Sequence, residues 1–398
     1  WEMCIRDRSK SDSWLTRVNN NGKQSGLFAD YHYYGTGDQG GAPTEKSVAN
    51  VEESLKGNGK LRIVSGPADW LFKSITPEMR NKLPRYRGEL LLTEHSAGSI
   101  TSQSYMKRWN RKNELLADAA ERAAVGAMWL GARDYPGKRL EDAWYLVLGS
   151  QMHDILPGTS LPKAYEYSWN DEALAGNIFA SVATDSVGAI ASQLDTRAQG
   201  IPLVIYNPLS VAREDVVEAE ITFTETPKAC YVVGPDGLPR AAQILGPGRA
   251  AGSTTMAFLA NVEPNGFAVY DVRPGEPASP LPASQLSVAN DIIENSRYRV
   301  KIDAKGDVSS VFDKQHKREL LRAPARLGLH YEKPAQWPAW NMDWKDRKHP
   351  AREFVGDTAP PSIEVIEAGP VRAAVRITRH EYGSTFIQTC LLYTSDAA

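Results

Sequence analysis

Cysteine is scarce in this sequence, with three in 398 residues. Cys4 and Cys390 lie close to the two ends and Cys230 stands alone, so no spacing suggests a disulfide framework or a cysteine metal site. Cys230 reads as a small buried hydrophobe. Histidine is also sparse, at seven, and no H-x-x-x-H, H-x-H or C-x-x-C occurs, which excludes a complete local metal motif. Neither sign of charge dominates. Lys and Arg number 46 against 48 Asp and Glu, a net charge of −2 that gives no basic footprint for nucleic acid. No apolar run approaches the ~20 residues of a membrane-spanning helix, and no secretory apolar region is visible. Internal repeats of about 20–50 residues are missing too, which excludes a solenoid or propeller.

What is present fits a soluble globular chain, with 42% hydrophobic and 24% charged residues. At 398 residues it exceeds one ordinary domain and suggests two or three. The ends read differently. Residues 1–8 (Trp-Glu-Met-Cys-Ile-Arg-Asp-Arg) and 390–398 (Cys-Leu-Leu-Tyr-Thr-Ser-Asp-Ala-Ala) resemble translated sequencing-adapter read-through. The expectation is two artefactual tails around a piece of a longer gene; ordinary frayed termini are the alternative.

Residues 27–94 alternate strand-like and helix-like segments. Leu27–Tyr34, Leu61–Val64 and Glu89–Thr93 read as strands, with a helix after Pro43-Thr44 and a shorter one over Ala68–Ile75. That order predicts parallel α/β units, whose function sits in loops at the carboxyl ends of strands. Asp38 and Glu94-His95 occupy such loops. From about residue 100 the pattern turns helical, over Ser102–Leu130, Lys138–Met152 and Ser160–Leu194, and predicts a bundle. Beyond Pro202 it changes to period two with turn signals at Pro235-Asp236-Gly237 and Lys305-Gly306-Asp307, an antiparallel β domain.

Four clusters could carry chemistry, and each also has a plain structural reading. Asp38 lies in Gly35-Thr36-Gly37-Asp38-Gln39-Gly40-Gly41, where glycines let backbone and ligand approach a carboxylate closely. It is a candidate general acid/base, or a turn or N-cap aspartate. The spacing fits G-x-G-x-x-G, yet no acidic residue closes a following strand, so it is not a dinucleotide fingerprint. His153-Asp154 stands where a helix stops at Pro157-Gly158: a metal ligand beside a polar one, or a histidine satisfied at a helix end. Glu94-His95 at a strand end is either a site pair or a packing contact. Trp337-Pro338-Ala339-Trp340-Asn341-Met342-Asp343-Trp344 offers indoles that stack on sugar rings and a carboxylate for their hydroxyls, or an aromatic plug between domains.

Together these segments resemble glycoside hydrolase family 38, the zinc-dependent retaining α-mannosidases, in order over nearly all of residues 25–389. Gly35–Thr44 is similar to that family's acid/base loop. Gly88–Glu94, Thr101-Ser102-Gln103, Lys107-Arg108, Asn110-Arg111 and Glu114 look like its barrel-to-bundle junction. Gln151–Thr159 looks like its middle-domain zinc motif, and Tyr206-Asn207-Pro208-Leu209-Ser210 like the first strand of its β domain. The resemblance implies Asp38 as general acid/base, His153 as a ligand of one Zn2+ ion and Asp154 on a mannose hydroxyl. Glu94, His95, Trp337, Trp340 and Asp343 are further substrate-binding candidates. It implies hydrolysis of terminal α-mannosyl residues of oligosaccharides or glycans.

The fold so implied is multidomain α/β, all-α and all-β. Residues 9–98 would be the C-terminal part of a β/α barrel, 99–196 a three-helix bundle, and 200–389 a truncated antiparallel β-sandwich. Two parts of the family pattern are missing. The only histidine before His95 is His32, so the N-terminal His-x-Asp pair is absent, and so is the nucleophilic aspartate. The chain alone is therefore expected to bind zinc poorly and to lack turnover. Rival readings are a non-catalytic carbohydrate-binding scaffold built on the β domain, and an unrelated zinc hydrolase using His153 and Asp154. Compartment (cytoplasmic, periplasmic or extracellular) and homo-oligomeric state stay open.

Overall fold

A computed structural model describes residues 2–3, 11–31, 34–36, 41–89, 92, 95–281 and 283–394. The chain divides into two units, residues 1–90 and 91–398.

The first unit carries four helices: α1 (Asp12–Ser25), α2 (Glu45–Leu55), α3 (Trp70–Lys73) and α4 (Pro77–Lys82). A short antiparallel pair, β1 (Glu2–Met3) and β2 (Gly35–Thr36), accompanies them. Thr44 caps α2 as the sequence predicts, its Oγ1 accepting the Ser47 N–H at 3.2 Å. Helix α1 is not anticipated, because Asn19-Asn20-Asn21-Gly22 is a poor helix-forming run. The expected strands differ more. Among the described residues, 27–31 and 61–67 form no strand, and most of Glu89–Thr93 lies outside the described residues. Parallel strands are stable when both edges are paired and both faces covered. Val64 is exposed and Ile63 only half-buried, so this segment has no such cover.

The second unit begins with a 3-10 turn (Ala97–Ile100) and three long helices, α5 (Ser104–Trp129), α6 (Gly137–Ser150) and α7 (Pro162–Ala191). They share one core of Ala117, Ala120 and Ala124, Leu140, Ala143 and Val147, and Ala175, Phe179 and Val182. Alanine on facing surfaces lets the helix axes approach closely. Trp144 meets Phe179 edge-on at 5.6 Å. The spacing of Trp144 and Leu148 suggests an apolar face on α6, yet Leu148 is exposed; the buried stripe is Leu140, Ala143, Val147 and Ser150. By length and composition α7 is apolar enough to cross a membrane, contrary to the reading of the sequence. In the fold it is the helix against which α5 and α6 both pack, with its buried face turned to them.

Residues 201–274 form a six-stranded antiparallel sheet from β3 (Ile201–Tyr206), β4 (Arg213–Thr222), β5 (Cys230–Val233), β6 (Pro239–Pro247), β7 (Ser253–Val262) and β8 (Phe267–Pro274). The strand order is β3-β8-β5-β6-β7-β4, and Cys230 is buried in its core, as its isolation suggests. A five-stranded sheet follows, β9 (Ser287–Ala289), β10 (Ile292–Glu294), β11 (Tyr298–Ile302), β12 (Val308–Asp313) and β13 (Arg318–Glu319). The expected turns at 235–237 and 305–307 lie between β5 and β6 and between β11 and β12. The paired β14 (Gly328–Leu329) and β15 (Glu353–Phe354) bracket a loop with α8 (Trp344–Arg347). A last sheet holds β16 (Ser362–Ala368), β17 (Arg372–Glu381) and β18 (Ser384–Tyr393), and shares a core of Ile293, Ile302, Val375 and Ile377 with the five-stranded one. Residues 390–393, read from the sequence as the start of a tail, pair with 372–375, and Asn295 Nδ2 donates to the Tyr393 carbonyl at 2.8 Å. The first and last sheets are also joined. Gln243 Oε1 on β6 accepts the N–H groups of Val371 (3.1 Å) and Arg372 (2.8 Å), while the Arg372 guanidinium bridges Glu367 on β16 and Glu218 on β4. The whole is a multidomain chain of helices and antiparallel sheets.

One buried acid stands out in the helical region. Glu172 on α7 is 1% exposed; its Oε2 accepts from Asn113 Nδ2 at 2.6 Å, and its Oε1 has no hydrogen-bond partner among the described residues. Burial raises its pKa, opposed by the Asn113 hydrogen bond and reinforced by the charges of Asp171 and Glu114. A carboxyl whose folded pKa is raised costs nothing at pH values below its unfolded pKa. It then destabilises the fold progressively as the pH rises towards its folded pKa. Glu172→Gln should flatten this fall in stability above the usual carboxylate range, as measured by urea unfolding at a series of pH values. An unchanged slope would show that Glu172 ionises normally.

Candidate functional site

The loop after α6 is built around Asp154. Its turns are closed by the Ile155 N–H and Leu156 N–H, which both donate to the Met152 carbonyl (2.9 and 3.1 Å), and by Thr159 N–H to the Asp154 carbonyl at 3.0 Å. Thr159 Oγ1 donates to Asp154 Oδ1 at 2.8 Å. The buried Tyr165 hydroxyl donates to the Asp154 carbonyl (3.1 Å) and accepts the Ser160 N–H (3.0 Å). Burial pushes the Tyr165 phenol pKa up, an effect the Ser160 hydrogen bond opposes and the nearby Asp154 charge adds to. Thr159 and Tyr165 thus hold the Asp154 backbone carbonyl and Thr159 also its Oδ1, while its Oδ2 faces His153 Nε2 at 3.2 Å. The His153 side chain is 85% exposed, so this pair sits in water and contributes little to stability.

The loop is fastened to the N-terminal end of α5. Lys107 Nζ donates to the carbonyls of Ser102 (2.6 Å), Leu156 (2.9 Å) and Pro157 (3.0 Å). Partial burial lowers the pKa of this ammonium. Gly158, at φ +94°, lies against Ser102 so closely that a Cβ there would stand 2.5 Å from the Ser102 carbonyl carbon and oxygen. Gln151 Nε2 donates to Asn110 Oδ1 (2.9 Å) and Glu114 Oε1 (3.3 Å), and Asn110 Nδ2 donates to the same Glu114 oxygen at 2.9 Å. Ser102, Lys107, Asn110 and Glu114, separated in sequence from the Gln151–Thr159 loop, are therefore its seat.

A second convergence lies at the start of the same segment. His95 Nδ1 is 2.8 Å from Asn341 Oδ1, which also accepts the Ser96 N–H at 3.2 Å. Gly98 N–H donates to the Trp340 carbonyl at 2.8 Å, and a Cβ on Gly98 would stand 3.0 Å from that oxygen. The structure thus brings His95 to the Trp337–Asn341 turn. Trp337 is 61% exposed and Trp340 half-buried. Asp343 is engaged locally, its Oδ2 accepting from the Ala335 N–H (3.1 Å) and facing Lys345 Nζ (3.3 Å). Asp38 and Glu94 lie outside the described residues. Sequence reasoning missed Asn341, which sits unremarked in the tryptophan run, and Tyr165, whose polar role no local pattern signals.

Among the described residues no three His, Cys, Asp or Glu side chains converge in a way that could hold a metal ion. His153 and Asp154 supply two donors, and a zinc site takes about four ligands. The described residues do not fit a zinc site by themselves.

Comparison with known proteins gives the context of this loop and of the β region. Residues 94–184 match the alpha mannosidase middle domain, and residues 293–398 match the glycosyl hydrolases family 38 C-terminal domain. These two stretches of the chain are thus similar to domains of alpha-mannosidases and of family 38 glycosyl hydrolases. Alpha-mannosidase G of Dictyostelium discoideum is 24% identical over 369 residues, covering 86% of this chain and 33% of the relative. The alpha-mannosidase of Saccharomyces cerevisiae is 30% identical over 144 residues, 34% of this chain and 13% of that protein. A family 38 protein from Enterococcus faecalis has a similar fold, with a TM-score of 0.57 at 18% identity, covering 92% of this chain and 45% of its own. The chain spans about a third of the length of the first of these relatives. Both the Gln151–Thr159 loop and its seat fall inside the match to the family 38 middle domain.

Gly158 is the most exacting position in this assembly. Gly158→Ala should lower stability by about 1–3 kcal/mol, since it combines an unfavourable backbone region with a clash against Ser102. A chemical denaturation curve superimposable on wild type would contradict the close approach.

Proposed function

We propose that this chain is part of a retaining α-mannosidase that hydrolyses terminal α-mannosyl residues of oligosaccharides or glycans. The observation that carries the reading is the Gln151–Thr159 loop, in which Thr159 Oγ1 donates to the Asp154 carboxylate and Tyr165 holds the Asp154 backbone carbonyl, within the stretch that matches the alpha mannosidase middle domain. The Asp154 carboxylate accepts hydrogen bonds from hydroxyls of the mannose ring; Thr159 orients it and Tyr165 anchors its backbone. Asp38 is the general acid/base. It protonates the glycosidic oxygen as that bond breaks and later removes a proton from the attacking water. The nucleophilic carboxylate that retention requires is assigned to no residue of this sequence.

By the resemblance His153 would be one ligand of a zinc ion, which when bound would supply a positive charge for the sugar's hydroxyls. The finer fold belongs to the same proposal: residues 9–98 as the C-terminal part of a β/α barrel, 99–196 as a three-helix bundle and 200–389 as a truncated β-sandwich. Glu94, His95, Trp337, Trp340 and Asp343 are proposed on the substrate side. The alanine-lined core of α5–α7 supports the bundle.

Two outcomes test this. The purified 398-residue chain should release no aryl group from an aryl α-mannoside, with or without added zinc; clear zinc-dependent release would refute the proposal that it lacks turnover. In the whole enzyme, Asp38→Asn should cost about 10²–10⁴-fold in kcat, the usual worth of a general acid/base. A near-wild-type rate for that variant would remove Asp38 from the mechanism. Glycan binding by the chain with no turnover in the whole enzyme would favour the carbohydrate-binding reading instead.

A further inference from the structure

The contact between His95 and Asn341 decides which face of an imidazole is offered to solvent. Asn341 is 7% exposed, and its side-chain amide has three neighbours. Its Nδ2 stands 2.9 Å from the Gln336 carbonyl, which can only accept. Its Oδ1 stands 3.2 Å from the Ser96 N–H, which can only donate. Turning the amide over would set two acceptors face to face at Gln336 and two donors face to face at Ser96. The orientation is therefore fixed without reference to His95. Oδ1 is the atom 2.8 Å from His95 Nδ1, so that nitrogen must carry a proton and donate. A neutral imidazole has one N–H, and the Nδ1–H tautomer leaves Nε2 with a free lone pair. His95 is exposed, so the lone pair is accessible.

A second feature marks the same place. Of the six non-glycine residues with positive φ among those described, two flank this contact: Ser96 at +65° and Trp337 at +55°. Such conformations are strained and persist where surrounding structure over-determines them. The Trp337 carbonyl accepts from both Trp340 N–H (2.9 Å) and Asn341 N–H (2.8 Å), so the turn that presents the exposed indole is also the turn that places Asn341.

We propose that His95 and Trp337 form a sugar subsite in which His95 Nε2 accepts a hydrogen bond from a hexose hydroxyl while the Trp337 indole supplies a stacking face. Asn341 is the positioning residue that sets the tautomer. The proposal rests on the glycan reading above for its ligand, and on hydrogen-bond logic alone for its tautomer. It selects a neutral donor group: the Nε2 lone pair takes a hydroxyl proton, and the site is not an anion site.

The two parts are separated by 15N NMR of the 15N-histidine-labelled chain above the imidazole titration range, with the His95 signals identified by His95→Gln. The expected wild-type pattern is a protonated Nδ1 and a bare Nε2. Asn341→Leu removes the acceptor and should convert His95 to a mixture or to the Nε2–H form. Asn341→Asp keeps the acceptor and should retain Nδ1–H, which guards against a leucine variant that fails to fold. Methyl α-mannoside should then shift the Nε2 resonance, and Trp337→Ala should weaken that response at least several-fold. A wild-type Nε2–H form overturns the inference whatever the enzyme's substrate proves to be. An Nε2 resonance indifferent to methyl α-mannoside, or moved by zinc instead, also overturns it. In that case tryptophan fluorescence that still responds to the mannoside shows the sugar bound elsewhere and leaves the family reading standing.

Discussion

An ammonium group held among carbonyl oxygens is the constraint on which this arrangement depends. Lys107 is drawn partly out of water, where a charge must be hydrogen-bonded or be neutralised. Its three carbonyl partners come from two segments, Ser102 on its own side and Leu156 and Pro157 from the loop after α6. Each bond is a charge-assisted one, stronger than a neutral pair. Release of the loop would leave the ammonium with fewer partners, so the loop and the start of α5 stay together. Gly158 reinforces the same junction by lying where any side chain would meet the Ser102 backbone.

Segment 95–102 consequently has two attachments. Ser102 is fixed to the loop bearing His153 and Asp154, and residues 95–98 are fixed to the turn bearing Trp337 and Asn341. About eight residues of chain thus connect candidate groups that lie some 180 positions apart in the sequence, between Asp154 and Trp337. The two family matches, at 94–184 and 293–398, meet through this short span. The two matched regions are therefore joined in this chain by specific polar contacts as well as by covalent continuity.

The helical half is the most readable part of the sequence. Long runs of apolar residues at helical spacing locate α5, α6 and α7 to within a few residues, since each helix buries one face along its whole length. The face of α6 misleads at Leu148 because two large apolar residues four apart look alike whether they point inward or outward. The segments 27–31 and 61–64 suggest strands too readily, because aromatic residues such as Phe28 and Tyr31 and β-branched ones such as Ile63 and Val64 show a capacity for pairing and not the presence of a partner. For the candidate site, Asp154 is legible from its motif. The support beneath it is less so: Tyr165 reaches back 11 residues to the Asp154 carbonyl, and Asn341 meets His95 across 246 positions. Such contacts are set by tertiary geometry, which no local spacing encodes.

The link between the first and last sheets bears on how the β region can be divided. Gln243 commits its single carbonyl oxygen to two backbone N–H groups of the 371–372 bend, and Arg372 spreads one guanidinium over carboxylates from both sheets. Cutting the chain between β8 and β9 would leave buried donors on one piece and their acceptors on the other. The two parts of the β region are thus coupled through buried polar groups, so that each sheet supplies partners that the other would otherwise leave unpaired.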